Sequence, residues 1–225
     1  MDAPETTSKP PARRRKQQRT IDTRSKIFRA ALSEFALLGF DGASTRRIAE
    51  VAEVPHSLVL YHFKSKENLW YETVEDSVHR YSQFDTGAPP TPGEGDPAGQ
   101  LKRFFRHYIQ FSAEFPDFFR MLTHENMVQS DRLTTLIERH TGPTLALTTG
   151  LIRTLQAAGA FVEGDPVMLI YMFLGAATAP YRSAREIELV TGTRPDTTEA
   201  VEQHIKLIER LFFREPGAGR KARRA

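Results

Sequence analysis

Two imidazoles, a hydroxyl and a phenol crowd into seven residues at His56, Ser57, Tyr61 and His62. They sit in "VAEVPHSLVLYHF", residues 51–63, which reads as two short apolar pieces hinged at Val54-Pro55. Each polar group can donate or accept a hydrogen bond. Val54, Val59 and Phe63 already claim the inner side of this stretch, so His56, Ser57, Leu58 and Tyr61 are expected on an outer face. The other histidines carry a different message. His79, His107, His124, His140 and His204 form no H-x-x-x-H or H-E-x-x-H pair, so no zinc site is expected. No Gly-rich phosphate loop and no nucleophile–base–orienter set appears in the larger part of the chain. No catalytic residue, metal or cofactor is therefore expected, and an enzyme is not the reading.

The elements that must position the residue 56–62 cluster follow from helical periodicity. The chain has 225 residues, about 40% of them hydrophobic, which suffices for one large core or two smaller ones. It has no cysteine, so disulfides and thiolate-bound metals are excluded. Residues 1–20 lack the apolar segment of a secretory signal, and a cytoplasmic location is expected. "VMLIYMFLGAATA", the longest apolar run, is too short to cross a bilayer core of about 30 Å, so no membrane partner is expected. The net charge is only +3, but it is unevenly placed. Residues 1–66 hold 13 Lys and Arg against 7 Asp and Glu, whereas residues 67–213 hold 13 against 20. A basic front on an acidic body suggests contact with a polyanion.

Residues 1–20 read as a disordered basic arm. A first helix is expected from Asp22 or Thr23 to Leu38, stopped by Gly39. Ser44 should cap a second helix over Thr45–Ala52. Pro55 opens a third, ending near His62, and Ser65 caps a fourth from Lys66 to about Phe84. A Pro/Gly-rich break spans Thr86–Gly99. Helices are then expected at Gly99–Glu114, Pro116–Glu125, Ser130–Ala158 with a bend at Gly142-Pro143, Pro166–Thr191 with a kink near Pro180, and Thr197–Phe213. No strand pattern appears. The fold class is all-α: a helix-turn-helix domain over 21–66, a larger helical domain over 67–213 and a basic disordered tail over 214–225.

Two short helices crossing at Ala49 and Ala52 make a helix-turn-helix. A helix of this diameter fits the major groove of B-DNA, where its first residues meet base edges. The stretch "IFRAALSEFALLGFDGASTRRIAEVAEVPHSLVLYHFKSKENLW" resembles the N-terminal domain of the TetR family of bacterial transcriptional regulators. The resemblance runs over residues 21–70 and rests on Ile27, Ala30-Ala31, Phe35, Gly39-Phe40, Ser44-Thr45, Ile48-Ala49, Ala52, Val54, His62-Phe63, Lys66 and Leu69. It departs from the family at Glu53, where Gly is usual, at Pro55 for Ser and at Leu60 for Tyr. It implies that Thr45 meets a phosphate, that Arg46 meets a base or phosphate, and that His56, Ser57 and Leu58 read sequence. His62 and Lys66 would clamp phosphates, Tyr61 would stand in for the missing phenol, and Arg13, Arg14 and Arg15 would follow the backbone or minor groove. Arg47 is expected to be solvated.

The resemblance also implies that the larger domain binds a small effector that releases the protein, most often a repressor, from double-stranded DNA. The C-terminal stretch is loosely similar to the branch that includes pyrimidine-sensing regulators, without fixing the ligand. Candidate pocket residues are Trp70, Phe104, His107, Tyr108, Phe111, His124, Tyr171 and Tyr181, with Arg120 and Glu125 as further polar groups. Pro166–Ala179 is apolar nearly all round, so one side needs a partner. Met168 and Met172, with the stripe Val201, Ile205, Ile208 and Phe212, would form a homodimer seam. A two-fold dimer implies a pseudo-palindromic operator, with half-sites about 34–36 Å apart or a multiple of that. The competing reading is a small-molecule-binding or enzymatic helical protein whose basic front is incidental.

Overall fold

Glycine and proline positions decide where the helices stop. The computed structural model describes residues 12–83, 96–128 and 130–214, with side chains from Thr20 onward. Helix α1 runs Ala12–Gly42 and is broken at Gly39, whose φ of 67° and ψ of −179° suit a residue without Cβ. Then come α2 (Thr45–Val51), α3 (His56–Phe63) and α4 (Lys66–Gln83). After the undescribed stretch follow α5 (Pro97–Glu114), α6 (Pro116–Asn126), α7 (Asp131–Leu136), a π turn (Ile137–Thr141) and α8 (Gly142–Ala157). The chain ends in α9 (Pro166–Arg182), α10 (Ala184–Thr191) and α11 (Thr198–Phe212). An isolated antiparallel bridge, Phe161 to Phe213, is the one β feature among the described residues.

The expected disordered arm is corrected in part. Helix begins at Ala12, not Asp22, because Ala12–Arg19 holds only good helix formers after Pro11. Residues 1–11, most of the Pro/Gly break and residues 215–225 lie outside the described residues. Ser44 stands at the N-cap of α2 without a side-chain bond, whereas Ser65 Oγ does accept from Asn68 N–H at 3.0 Å. The chain divides into two compact units, Met1–Val74 and Glu75–Ala225. The expected boundary at 66/67 therefore moves into α4. Leu69, Trp70, Thr73 and Val74 are buried and complete the first unit.

In that unit Ile27, Phe35, Ile48, Leu69 and Phe63 are fully buried, and Phe28 meets Phe63 edge to face at 5.3 Å. The turn between α2 and α3 is a Schellman motif. Glu53 N–H donates to the Glu50 carbonyl at 3.1 Å and Val54 N–H to the Ala49 carbonyl at 3.0 Å. This geometry puts Glu53 at φ 55°, a region that favours glycine. Glu53→Gly should therefore raise stability by about 1 kcal/mol, read as a higher urea midpoint. A lower midpoint would mean that the glutamate side chain more than offsets its own backbone strain.

The second unit is built on Phe105 of α5, stacked on Phe173 of α9 at 3.6 Å, with α8 and α11 closing the core. The two bends expected from the sequence have a common cause in proline's missing N–H. Pro143 cannot donate to the Arg139 carbonyl, and the helix widens there: Gly142 N–H reaches back to the Ile137 carbonyl, five residues away. A Cβ at Gly142 would come within 3.0 Å of that oxygen, so glycine suits the turn. Pro180 likewise leaves the Ala176 carbonyl without its helical donor. The His204 ring takes that place and also bonds the Tyr181 hydroxyl through Nδ1 at 2.9 Å. The expected single helix Pro166–Thr191 ends at Arg182 and restarts at Ala184.

Burial holds the His204 pKa below its ordinary value, with the Ala176 bond acting the other way. The unfolded chain thus takes up a proton below about pH 6.5 that the folded chain resists. Stability is complete above that pH and falls as pH drops through the gap. The urea midpoint of the second unit should decline on acidification from pH 7.5, and the slope should flatten in His204→Gln. Equal slopes in both proteins would refute this assignment.

Candidate nucleic-acid interface and ligand cavity

The first unit presents α3 on a buried support. Ala49, Ala52, Val59 and Phe63 are buried beneath it. Ser57, Leu60 and Tyr61 are exposed, Tyr61 by 68%, while His56, Leu58 and His62 are half-buried. Arg46 is exposed beside this surface. Thr45 Oγ1 and His56 Nε2 share a hydrogen bond of 3.0 Å, which joins the first turns of α2 and α3. Burial, then the Arg24 and Lys64 charges, push the His62 pKa down, against the opposing effect of Glu72. At neutral pH His62 is thus an uncharged N–H donor. The side chains of Arg13, Arg14 and Arg15 lie outside the described ones.

Two basic residues behave differently from expectation. Lys66 is corrected from a phosphate clamp to a tether. Its Nζ donates to the carbonyls of Phe40 at 2.8 Å, Ala43 at 3.2 Å and Asp41 at 3.3 Å, and lies 4.5 Å from the Phe40 ring centre. An ammonium has three protons, and all three are used. Arg47 is not simply solvated: its Nε donates to the buried Glu34 at 3.0 Å and ties α2 to α1. An exposed cation at the end of α3 that sequence reasoning missed is Lys64, which lies over the Tyr61 ring at 5.2 Å. Its φ of 65° terminates α3 and swings it to that position.

In the second unit residues of α4 to α9, with the π turn, line an open cavity of about 360 Å³. This lies within the range of small-molecule sites. Phe104, His107, Tyr108 and Tyr171 line it, as expected. The His107 Nε2–H donates to the Tyr81 carbonyl at 2.8 Å, and the two rings meet at 4.3 Å. Burial raises the phenol pKa values of Tyr81 and Tyr108 far above the ordinary range, so both stay neutral.

Four expected ligand residues are corrected. Trp70 is buried in the first unit against Tyr71. Phe111 is fully buried with its ring on Tyr81 at 5.1 Å, behind the wall. His124 is not among the lining side chains, and the Tyr181 hydroxyl is bonded to His204. Arg120 is tied to Asp117 and to backbone carbonyls, and Glu125 to Arg132 and Ser130. Beside His107, Tyr108 and Tyr171, further polar lining comes from residues that sequence reasoning passed over: Arg139, His140 and Thr141 of the π turn, then Thr144 and Thr148 of α8. Pro143 was the available signal, because it forces the turn that delivers them.

The dimer stripe is also corrected. Val201, Ile205, Ile208 and Phe212 are buried in their own unit, at 0–7% exposure. Met168 and Met172 are outward, as are Leu207 and Leu211 on the other side of α11.

The family description "Bacterial regulatory proteins, tetR family" matches residues 27–72, and "Tetracyclin repressor-like, C-terminal domain" matches residues 97–211. The chain belongs to the TetR family of transcriptional regulators. Such regulators bind DNA operators and small-molecule effectors, typically as dimers. This TetR-family chain is 28% identical over 205 residues to the HTH-type transcriptional regulator RutR of Escherichia coli (strain K12), covering 88% of this chain and 92% of the relative. It is 25% identical over 171 residues to the HTH-type transcriptional repressor NicS of Pseudomonas putida, covering 75% and 79%. A TetR-like transcriptional regulator from Rhodococcus sp. RHA1 has the same fold: TM-score 0.61, 19% identity, 84% of this chain and 92% of that one. Among the described residues no helix is long and apolar enough to cross a membrane, and no group of three His, Asp or Glu is placed to hold a metal.

Proposed function

We propose that this TetR-family protein is a homodimeric repressor of the bacterial cytoplasm, released from its operator by a small molecule, and not an enzyme. The observation that carries the reading is the outward surface of α3, where Ser57 and Tyr61 stand exposed above a buried footing of Val59 and Phe63. A helix that needed this surface for its own packing would bury Tyr61. In this reading Ser57, His56 and Leu58 face base edges, while Arg46, Tyr61, His62 and Lys64 meet phosphates. Thr45 sets the rotamer of His56 and is a positioning residue as much as a phosphate contact. Base contacts carry sequence information and phosphate contacts carry affinity.

The outward faces of α9 and α11 support the dimer. Met168, Met172, Gly175 and Ala179 fall on one face of α9 at spacings of four, three and four. A Cβ at Gly175 would meet nothing within 4 Å, which leaves room for a second backbone. Effector control would run through α4. Val78, Tyr81 and Ser82 of that helix line the cavity, and its first turns belong to the DNA-binding unit. A ligand shifts the equilibrium only by its differential affinity for the two states.

Selection of bound sequences from a random DNA pool tests the proposal. The expected result is a pseudo-palindrome whose half-sites lie about 34–36 Å apart, or a multiple of that. A pool that returns no enriched sequence would sink it.

A further inference from the structure

Resting on the effector-cavity reading above, we propose that the cavity takes an organic carboxylate with an apolar or aromatic body, and that its head group competes with Glu75 for Arg139 and His140. The walls set the body. Phe104, Tyr108, Phe118 and Phe119 supply aromatic surface, and the buried phenols stay neutral. The charge sets the head. Among the described lining residues there is one cationic side chain, Arg139, and no Asp or Glu. An ammonium ligand would find no counter-charge on the wall, and a carboxylate would find one.

The nearest carboxylate is just outside the lining. His140 Nε2 lies 3.1 Å from Glu75 Oε1, and Arg139 Nη1 lies 3.7 Å from the same oxygen. Both contacts converge on one atom of a half-exposed side chain, and Arg139 itself is 65% exposed. Such an ion pair contributes little and exchanges easily. A guanidinium prefers a two-oxygen partner at hydrogen-bond distance, and 3.7 Å to one oxygen falls short of that. An incoming carboxylate can give Arg139 the bidentate geometry that Glu75 does not. Glu75 lies three residues before Val78 on α4, the helix that also lines the cavity. The π turn has no evident packing role here, since none of its residues is buried. Its effect is to turn Arg139 and His140 toward this one spot.

The test uses the full chain and calorimetric titration without DNA, with benzoate, phenylacetate, hexanoate and octanoate against the matching carboxamides. At least one acid should bind tenfold or more tightly than its amide. Arg139→Gln should shrink that ratio to below threefold while amide binding stays put, and melting curves check that this exposed residue is not needed for folding. Glu75→Gln should tighten the acid at least threefold and leave the amide unchanged. No acid binding, an acid-to-amide ratio near one, or a ratio unmoved in both variants overturns the proposal. Release of operator DNA by the acids is scored separately: acids that bind through Arg139 yet release no DNA would refute the effector reading, not the ligand class.

Discussion

Met172→Glu should convert the protein to a monomer and lower its affinity for a two-half-site operator by about 10²–10⁴-fold. The reasoning starts from exposure. Met172 is 60% and Met168 62% exposed on α9, and Leu207 and Leu211 are more than half exposed on α11. Exposed apolar side chains on two helices are of the kind that marks an interaction site. In a two-fold pairing the same residue meets its symmetry mate or a neighbour of it, so one substitution places two carboxylates in the seam. Burying an unpaired charge there is far more costly than the contacts it replaces. The DNA effect follows from linkage of two weak half-site contacts, which gains that much from effective concentration alone. Sedimentation gives the mass, and titration against one and two half-sites gives the affinities. Binding to a single half-site should be unchanged. A dimer that survives Met172→Glu at micromolar concentration would place the seam elsewhere. Ile205→Glu is the contrast: it buries a charge inside the protomer, where exposure is 0%, and should unfold the unit.

That contrast shows what a sequence can and cannot say. The stripe Val201, Ile205, Ile208 and Phe212 is legible as the apolar face of α11, but the pattern does not tell which surface covers it. A protomer core and a dimer seam ask for the same residue types, and here the stronger stripe goes to the core. The outward pair Leu207 and Leu211 is the weaker signal. Helix periods and turn residues were legible almost throughout, because Gly39, Pro55, Pro143 and Pro180 act locally. The outer face of α3 was legible for the same reason: Ala49, Ala52, Val59 and Phe63 leave only one side for Tyr61. Trp70 was not, since an aromatic in mid-helix does not reveal which of two units it packs in. The cavity's polar end was half legible. Pro143 announces a bend, but only the count of backbone bonds shows that the bend is a π turn that places Arg139 and His140 at the cavity's rim beside Glu75.

Lys66→Met should destabilise the DNA-binding unit by about 2–3 kcal/mol, because three charge-assisted bonds to carbonyls are lost together. Those carbonyls belong to Phe40, Asp41 and Ala43, the segment just past the break at Gly39. A helix end leaves such groups without intrahelical donors, and Lys66 reaches back from α4 to satisfy them. DNA binding should weaken equally for every sequence, and only to the extent that the unit unfolds. The salt dependence separates this tether from a phosphate contact. Loss of one phosphate contact lowers the slope of log affinity against log salt by about 0.9. Lys66→Met should lower the melting temperature and leave that slope alone. Lys64→Ala should do the reverse, since its ammonium is exposed at the end of α3 and carries no comparable share of the packing. If Lys66→Met changed the slope by about 0.9 with an unchanged melting temperature, its three carbonyl bonds would be expendable and the phosphate role would return to it.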